Sequence, residues 1–270
     1  MTRHFLLASD FDQTLSFHDS GHVLAELLGV RDFASKVAGL AGSNLVQQGG
    51  ELAYLIRHDP DFRGVRREHL VEAGRRVRLK EALPALVNAL EGRIAGCRFS
   101  FFVVSAAPRE VVVAALEGIM PPAHIHATDF EYDAASGEVS AIARVVAGYG
   151  KVAVIDELSR KLDVPPDRII YMGDGSSDVH VMLHVNSGEG FTIAVSENRQ
   201  LARIARCTVL SDNACSALMP ILDQVLGMRM PEIRHFLEAH GLTLEGWEKA
   251  RTDRVMMRET VSPLAAVEGA

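Results

Sequence analysis

Short apolar runs of strand length alternate with longer stretches of helical spacing along most of the chain, the pattern of an α/β protein. Phe5-Leu6-Leu7-Ala8 is continuously apolar, as a strand covered on both faces requires. Further strands are predicted over 99–104, 168–172 and 191–195, with another over 208–210. Residues 124–132 read as extended and lead into Asp133-Ala134-Ala135-Ser136-Gly137, a hairpin turn. Between these lie helical patterns: Leu83, Leu86, Val87, Leu90 and Ile94; a segment opened by Pro108 and running to about residue 119; and Val152, Ile155, Leu158 and Leu162, closed by Pro165-Pro166. Leu218, Ile221, Leu222 and Val225 predict a last core helix.

Residues 16–80 lack any strand pattern. Ser20 is placed to cap a helix carrying Val23, Leu24, Leu27 and Leu28, and Phe33, Val37 and Leu40 continue at helical spacing as far as Gly42-Ser43. Leu52, Leu55 and Ile56 mark another helix closed by His58-Asp59-Pro60, and Leu70, Ala73 and Val77 one more. The expected organisation is an α/β core from 1–15 and 81–227, a helical insert over 16–80, and a helical appendage over 228–270. The appendage presents Ile233, Phe236, Leu237, Leu244 and Trp247, apolar surface that must pack on its own core or on a second copy, giving a monomer or a homodimer.

Composition narrows the function classes. A formal net charge of −7 argues against nucleic-acid binding, which needs a basic face. No apolar run reaches membrane-spanning length, so no membrane is expected as a partner. Cys97, Cys207 and Cys215 show no zinc-like spacing, and an odd count disfavours a full disulfide framework. With the first strand starting close to Met1, no signal peptide is expected, and the reading is cytoplasmic.

The chemistry concentrates at predicted strand ends. Ser9-Asp10-Phe11-Asp12-Gln13-Thr14-Leu15 puts two carboxylates at the carboxyl edge of the sheet, where buried charge calls for a cation. Ser105 follows the strand over 99–104, Lys151 opens a helix after Gly148-Tyr149-Gly150, and Gly173-Asp174-Gly175-Ser176-Ser177-Asp178 follows the strand over 168–172. In order and context these four segments resemble the motifs of the haloacid dehalogenase superfamily. The resemblance implies a Rossmann-like parallel sheet core flanked by helices, with the insert as a small cap domain. It implies Asp10 as a nucleophile forming an aspartyl-phosphate and Asp12 as the acid/base, with Ser105 and Lys151 holding the phosphoryl oxygens. It also implies Mg²⁺ held by Asp10, Asp174 and the Asp12 backbone carbonyl, with Asp178 ligating through water or orienting Lys151. Gly173 and Gly175 would permit the tight loop.

An insert between the first two motifs is similar to the phosphoserine phosphatase group, which implies a phosphatase acting on a small phosphorylated metabolite. Asp19 stands where that group has a glutamate for the substrate ammonium, Ser105-Ala106-Ala107 replaces Ser-Gly-Gly, and Ser177 replaces an asparagine. These departures place Asp19, Ala106 and Ser177 at a substrate pocket of different shape and favour a substrate other than phosphoserine. A mutase-like phosphotransferase and a catalytically silent phosphate-binding module are the alternatives. His180 and His184 have the spacing of a helical metal pair but no Glu follows His180, so surface or packing roles are expected. Arg63, Arg66, Arg67, Arg75, Arg76 and Arg78 read as a solvated helical face from which one member could meet an anionic substrate.

Overall fold

The computed structural model describes residues 3–43 and 46–246. Its centre is a sheet in the order β5-β4-β3-β1-β6-β7-β8, with the short β2 paired to β3. The strands are β1 (His4–Ser9), β2 (Arg93–Ile94), β3 (Cys97–Pro108), β4 (Ile125–Tyr132), β5 (Val139–Arg144), β6 (Ile169–Gly173), β7 (Phe191–Ala194) and β8 (Cys207–Thr208). Pairing is parallel from β4 through β8; β5 and β2 are antiparallel additions. The fold is a Rossmann-like α/β sheet flanked by helices, as expected.

Side-chain alternation explains the unbroken apolar run of β1. Phe5 and Leu7 join Phe99, Phe101 and Val103 on one face, while Leu6 and Ala8 join Phe102, Val104 and Tyr171 on the other. Helices α5 (Leu83–Glu91) and α6 (Arg109–Ala115) cover the first face, and α7 (Tyr149–Leu162) with α8 (Val179–Ser187) covers the second. Each fully buried leucine in these layers contributes about 1.5–3 kcal/mol relative to exposure.

Residues 16–80 form α1 (Ser20–Leu28), α2 (Phe33–Ser43), α3 (Glu51–His58) and α4 (Arg67–Arg76). Their two connections to the sheet lie side by side, with Phe17 N donating to Arg78 O (2.9 Å) and Lys80 N to Leu15 O (2.8 Å). Helix α4 packs directly on α6. A Cβ at Gly74 would stand 2.2 Å from Val111 O, so the two backbones meet at a distance that only glycine allows. At the site-facing end, Gln47 Nε2 donates to Ala147 O, tying the loop before α3 to the loop before α7.

Several elements differ from the pattern-based expectation. Ile94 is in β2, not at the end of a helix, because Ala95 and Gly96 both adopt positive φ (48° and 75°) and turn the chain into a hairpin with β3. The helix opened by Pro108 ends at Ala115. The strand expected over 208–210 is only Cys207–Thr208. After α9 (Leu201–Ile204), the expected last core helix is a turn, α10 (Leu218–Pro220), that widens into a π-helical stretch over Ile221–Val225. The cap of α1 is Asp19, whose carboxylate accepts from Gly21 N (2.7 Å); Ser20 is the first helical residue.

Helix α11 (Met230–Ala239) buries Ile233 and Leu237 in the main core, with Phe236 and Leu244 packed against it. Trp247 lies outside the described residues. All three cysteines are free thiols, and burial pushes Cys215 up to about 11 and Cys207 to about 12. No helix among the described residues is long and apolar enough to cross a membrane.

Candidate active site

Strand β1 is the point from which the chain leaves in both directions across the sheet, first to β3 and later to β6. Such a switch point opens a crevice at the strands' carboxyl ends. Asp10 sits there, its N–H bonded to Met172 O (2.9 Å). Phe11 O then gathers the N–H groups of Thr14, Leu15 and Ser16 (3.2, 2.9 and 3.1 Å), which folds the chain into a tight turn. Gln13 accepts a positive φ of 54° in that turn. The turn brings Asp12 under the start of α1, where its carboxylate accepts from Ser20 N (2.8 Å) and Ser20 Oγ (3.0 Å).

From α7, Lys151 enters the core fully buried. Its Nζ is 2.6 Å from Asp178 Oδ1 and 2.9 Å from Asp10 Oδ1, with Ser177 Oγ at 3.4 Å. Asp178 is saturated: Tyr171 Oη also donates to Oδ1 (2.7 Å), and the N–H groups of Asp174 and Gly175 both donate to Oδ2 (3.1 Å each). That arrangement holds the loop closed and orients Lys151. Gly173 makes room for it, since a Cβ there would lie 2.4 Å from the Asp178 carboxyl carbon. Gly175 is different, for a Cβ would meet nothing within 4 Å and its φ is −135°. The expectation that the loop needs both glycines therefore holds for Gly173 alone.

Ser105, three residues before the end of β3, is buried, and its Oγ accepts from Ala107 N (3.1 Å). Asp10, Asp12, Ser105, Asp174, Ala106, Ser177 and Asp19 all line one cavity of about 270 Å³. The nine motif residues named from the sequence thus converge, with Lys151 and Asp178 behind the wall. The arginines do not, as none of Arg63, Arg66, Arg67, Arg75, Arg76 and Arg78 lines the cavity. Arg76 pairs with Glu72, Arg67 with Glu110 and Arg66 with Glu138, and Arg78 lies over the Phe17 ring. His184 pairs with Asp156 and the His180 ring packs on Tyr149.

Electrostatics set the carboxylates apart. Burial pushes Asp10 up to about 6, opposed by Lys151 and assisted by Asp178. Burial, then the charges of Asp19 and Asp10, raises Asp12 well above the carboxylate range, as a proton donor at neutral pH requires. Burial with Asp10 and Asp178 pushes Asp174 up to about 8. Burial disfavours charge on Lys151, but Asp10 and Asp178 outweigh it and keep the ammonium protonated.

A cation fits this cluster. Single oxygens of Asp10, Asp174 and Asp178 lie within 4.8 Å of one another. Asp10 Oδ1 is buried without an aligned hydrogen bond, although Lys151 is near enough for an ion pair. Lys151 pairs with two of the three carboxylates, Asp10 and Asp178, and an all-oxygen donor set suits a hard divalent ion. With Asp178 saturated, Asp10 and Asp174 are the carboxylates left to ligate.

Two contributors escaped the sequence reading. Tyr171 looks like any apolar member of a buried strand, and Glu51 looks like a solvated residue at a helix start. Glu51 in fact lines the cavity at 6% exposure.

The haloacid dehalogenase-like hydrolase family matches residues 7–183 of the chain. Among solved structures, a substrate-bound phosphoserine phosphatase complex is similar over 85% of this chain and 100% of its own, with 16% identity and a TM-score of 0.64. A phospho-aspartyl intermediate analogue of phosphoserine phosphatase matches over 84% and 100%, with 17% identity and a TM-score of 0.63. A phosphoserine phosphohydrolase-like protein from Francisella tularensis matches over 82% and 100%, with 16% identity and a TM-score of 0.62. At such identities the likeness is one of fold. Comparison with curated protein sequences gives no match.

Proposed function

We propose that this chain, which belongs to the haloacid dehalogenase-like hydrolase family, is a Mg²⁺-dependent phosphatase that hydrolyses a small-molecule phosphomonoester through an aspartyl-phosphate. The observation that carries the reading is the unequal pair at the end of β1. Asp10 is in contact with a buried lysine, and Asp12, two residues on, lines the cavity with its carboxyl pushed well above the ordinary range by burial and by the Asp19 and Asp10 charges.

In the first step an Asp10 carboxylate oxygen attacks phosphorus and the bond from phosphorus to the ester oxygen breaks. Asp12 gives its proton to the leaving alkoxide, so the alcohol departs neutral. In the second step water attacks the same phosphorus, Asp12 takes the water's proton, and phosphate leaves as Asp10 is regenerated. Lys151 and the Ser105 hydroxyl hold the phosphoryl oxygens as charge shifts among them. Asp10, Asp174 and the Asp12 carbonyl would hold Mg²⁺, which supplies Lewis-acid neutralisation of the phosphoryl charge. Residues 16–80 act as a cap that excludes water and reads the alcohol, and Asp178 is a positioning residue for Lys151.

The direct test is phosphate release from p-nitrophenyl phosphate with and without Mg²⁺. Metal-dependent release is expected; none from the aryl ester and none from a panel of metabolite phosphates would overturn the assignment. A transferase would instead give a product phosphorylated on a new hydroxyl.

The pH dependence follows from the raised carboxyls. Asp10 and Asp174 carry protons in the metal-free folded state over a range where the unfolded chain has lost them. Their contribution to stability is therefore present at low pH and lost as pH rises through about 6 and about 8. Mg²⁺ displaces those protons, so its stabilising effect runs the other way. The rise in Tm on adding Mg²⁺ is expected to be small at about pH 5.5 and to grow up to about pH 8.5. An increment independent of pH would contradict a metal bound by these carboxylates.

A further inference from the structure

The cavity has a charge asymmetry that bears on the substrate. At the Asp10 end, Lys151 and Ser105 provide for a phosphoryl group. The opposite wall comes from the inserted helices, with Phe33, Val37 and Leu52 as its apolar part and Asp19 and Glu51 as its charged part. No arginine, lysine or histidine lines the cavity among the described residues. Phe33, Asp19 and Leu52 converge on one spot: a Cβ at Gly21 would meet Phe33 Cζ at 2.7 Å, Asp19 Oδ1 at 2.8 Å and Leu52 Cδ2 at 3.2 Å.

Glu51 is the decisive residue. It is 6% exposed, yet its side chain has neither a hydrogen bond nor an ion pair among the described residues. Asp19, by contrast, has an oxygen committed to capping α1. Lining a cavity with no cationic neighbour on its walls among the described residues, the Glu51 carboxylate offers an uncompensated negative charge that a cation entering the cavity would meet. A leaving group carrying its own carboxylate would meet Asp19 and Glu51 with no cation to receive it.

We propose that the alcohol portion of the substrate is a cationic amino alcohol without a carboxylate, its ammonium received by Glu51 and its carbon groups by Phe33, Val37 and Leu52. This rests on the phosphatase reading and narrows it to phosphoesters of the ethanolamine and choline type. Aromatic and aliphatic walls around a carboxylate suit an alkylated ammonium, which needs charge on one side and apolar contact on the others.

The test compares phosphocholine with 3,3-dimethylbutyl phosphate, the uncharged isostere in which carbon replaces nitrogen. For the wild-type protein with Mg²⁺, kcat/KM is expected to favour phosphocholine by roughly 10- to 100-fold, the range of one charge-assisted contact in a desolvated site. In Glu51→Gln that ratio should fall towards one, chiefly through KM for phosphocholine. Calorimetry of the same two compounds with the Asp10→Asn variant, in the presence of Mg²⁺, supplies a readout that does not need turnover. Equal handling of both compounds by the wild type, or an undiminished ratio in Glu51→Gln, overturns the proposal while aryl-phosphate hydrolysis leaves the phosphatase reading standing. Binding that prefers phosphocholine without hydrolysis of any ester supports the cation site and removes the phosphatase reading; binding without preference removes the cation site.

Discussion

Asp10→Asn is expected to yield a folded protein whose phosphate release is lower by on the order of 10⁴-fold or more, since removing a covalent nucleophile costs up to about 10⁶ in kcat. The amide keeps the shape of the carboxylate but cannot displace the ester oxygen. Folding should not suffer, because Asp10 is buried close to Asp174 and Asp178 with a single ammonium between them. Removing one negative charge relieves repulsion, and Lys151 keeps its 2.6 Å contact with Asp178. The metal-free variant is therefore expected to melt at or above the wild-type temperature, most clearly above about pH 6, where wild-type Asp10 is ionised. Turnover within about tenfold of wild type would eliminate Asp10 as the nucleophile.

Lys151→Met should strike stability and activity together. Lys151 and Asp178 are fully buried and Asp10 nearly so, and the substitution leaves two carboxylates without their cation. Breaking a buried ion pair from one side costs about 3–5 kcal/mol. The expected loss depends on pH in a definite direction. Without the ammonium that opposes its burial, Asp10 binds its proton more tightly in the folded state, so the variant regains stability as pH falls and loses it as pH rises. Urea unfolding at about pH 5 and about pH 8 should show the larger deficit at the higher pH. A deficit equal at both would point to lost packing instead of lost charge. Folded Lys151→Met is also expected to lose about 10²–10³ in kcat, the scale for removing one preorganised stabiliser of transition-state charge.

What could be read from the sequence and what could not divide on physical lines. The sheet was legible because strands buried on both faces demand unbroken apolar runs, and Phe5 to Ala8 and Ile169 to Met172 supply them. Asp10, Ser105 and Asp174 were legible because each stands within two residues of the end of an apolar run, so chain connectivity alone brings them to one edge. Lys151 was found through motif order, yet its complete burial between Asp10 and Asp178 is a tertiary fact that no local pattern carries. Ile94 fitted helical spacing, but the backbone turned at Ala95-Gly96, and periodicity does not register positive φ. Tyr171 stayed hidden because its ring satisfies the apolar pattern while its hydroxyl serves Asp178. Glu51 stayed hidden for the opposite reason, since a charged residue at a helix start normally faces water and only the approach of α3 to the sheet edge buries it.

The central claim is that phosphorus is transferred to Asp10 before it reaches water. Rapid acid quenching during turnover of p-nitrophenyl phosphate with Mg²⁺, followed by proteolysis and peptide mass analysis, tests it directly. The account predicts a phosphoryl group on the peptide containing Asp10, labile to hydroxylamine as an acyl phosphate is and missing in Asp10→Asn. Steady turnover with that peptide unmodified, or a phosphoryl group on any other residue, would contradict it.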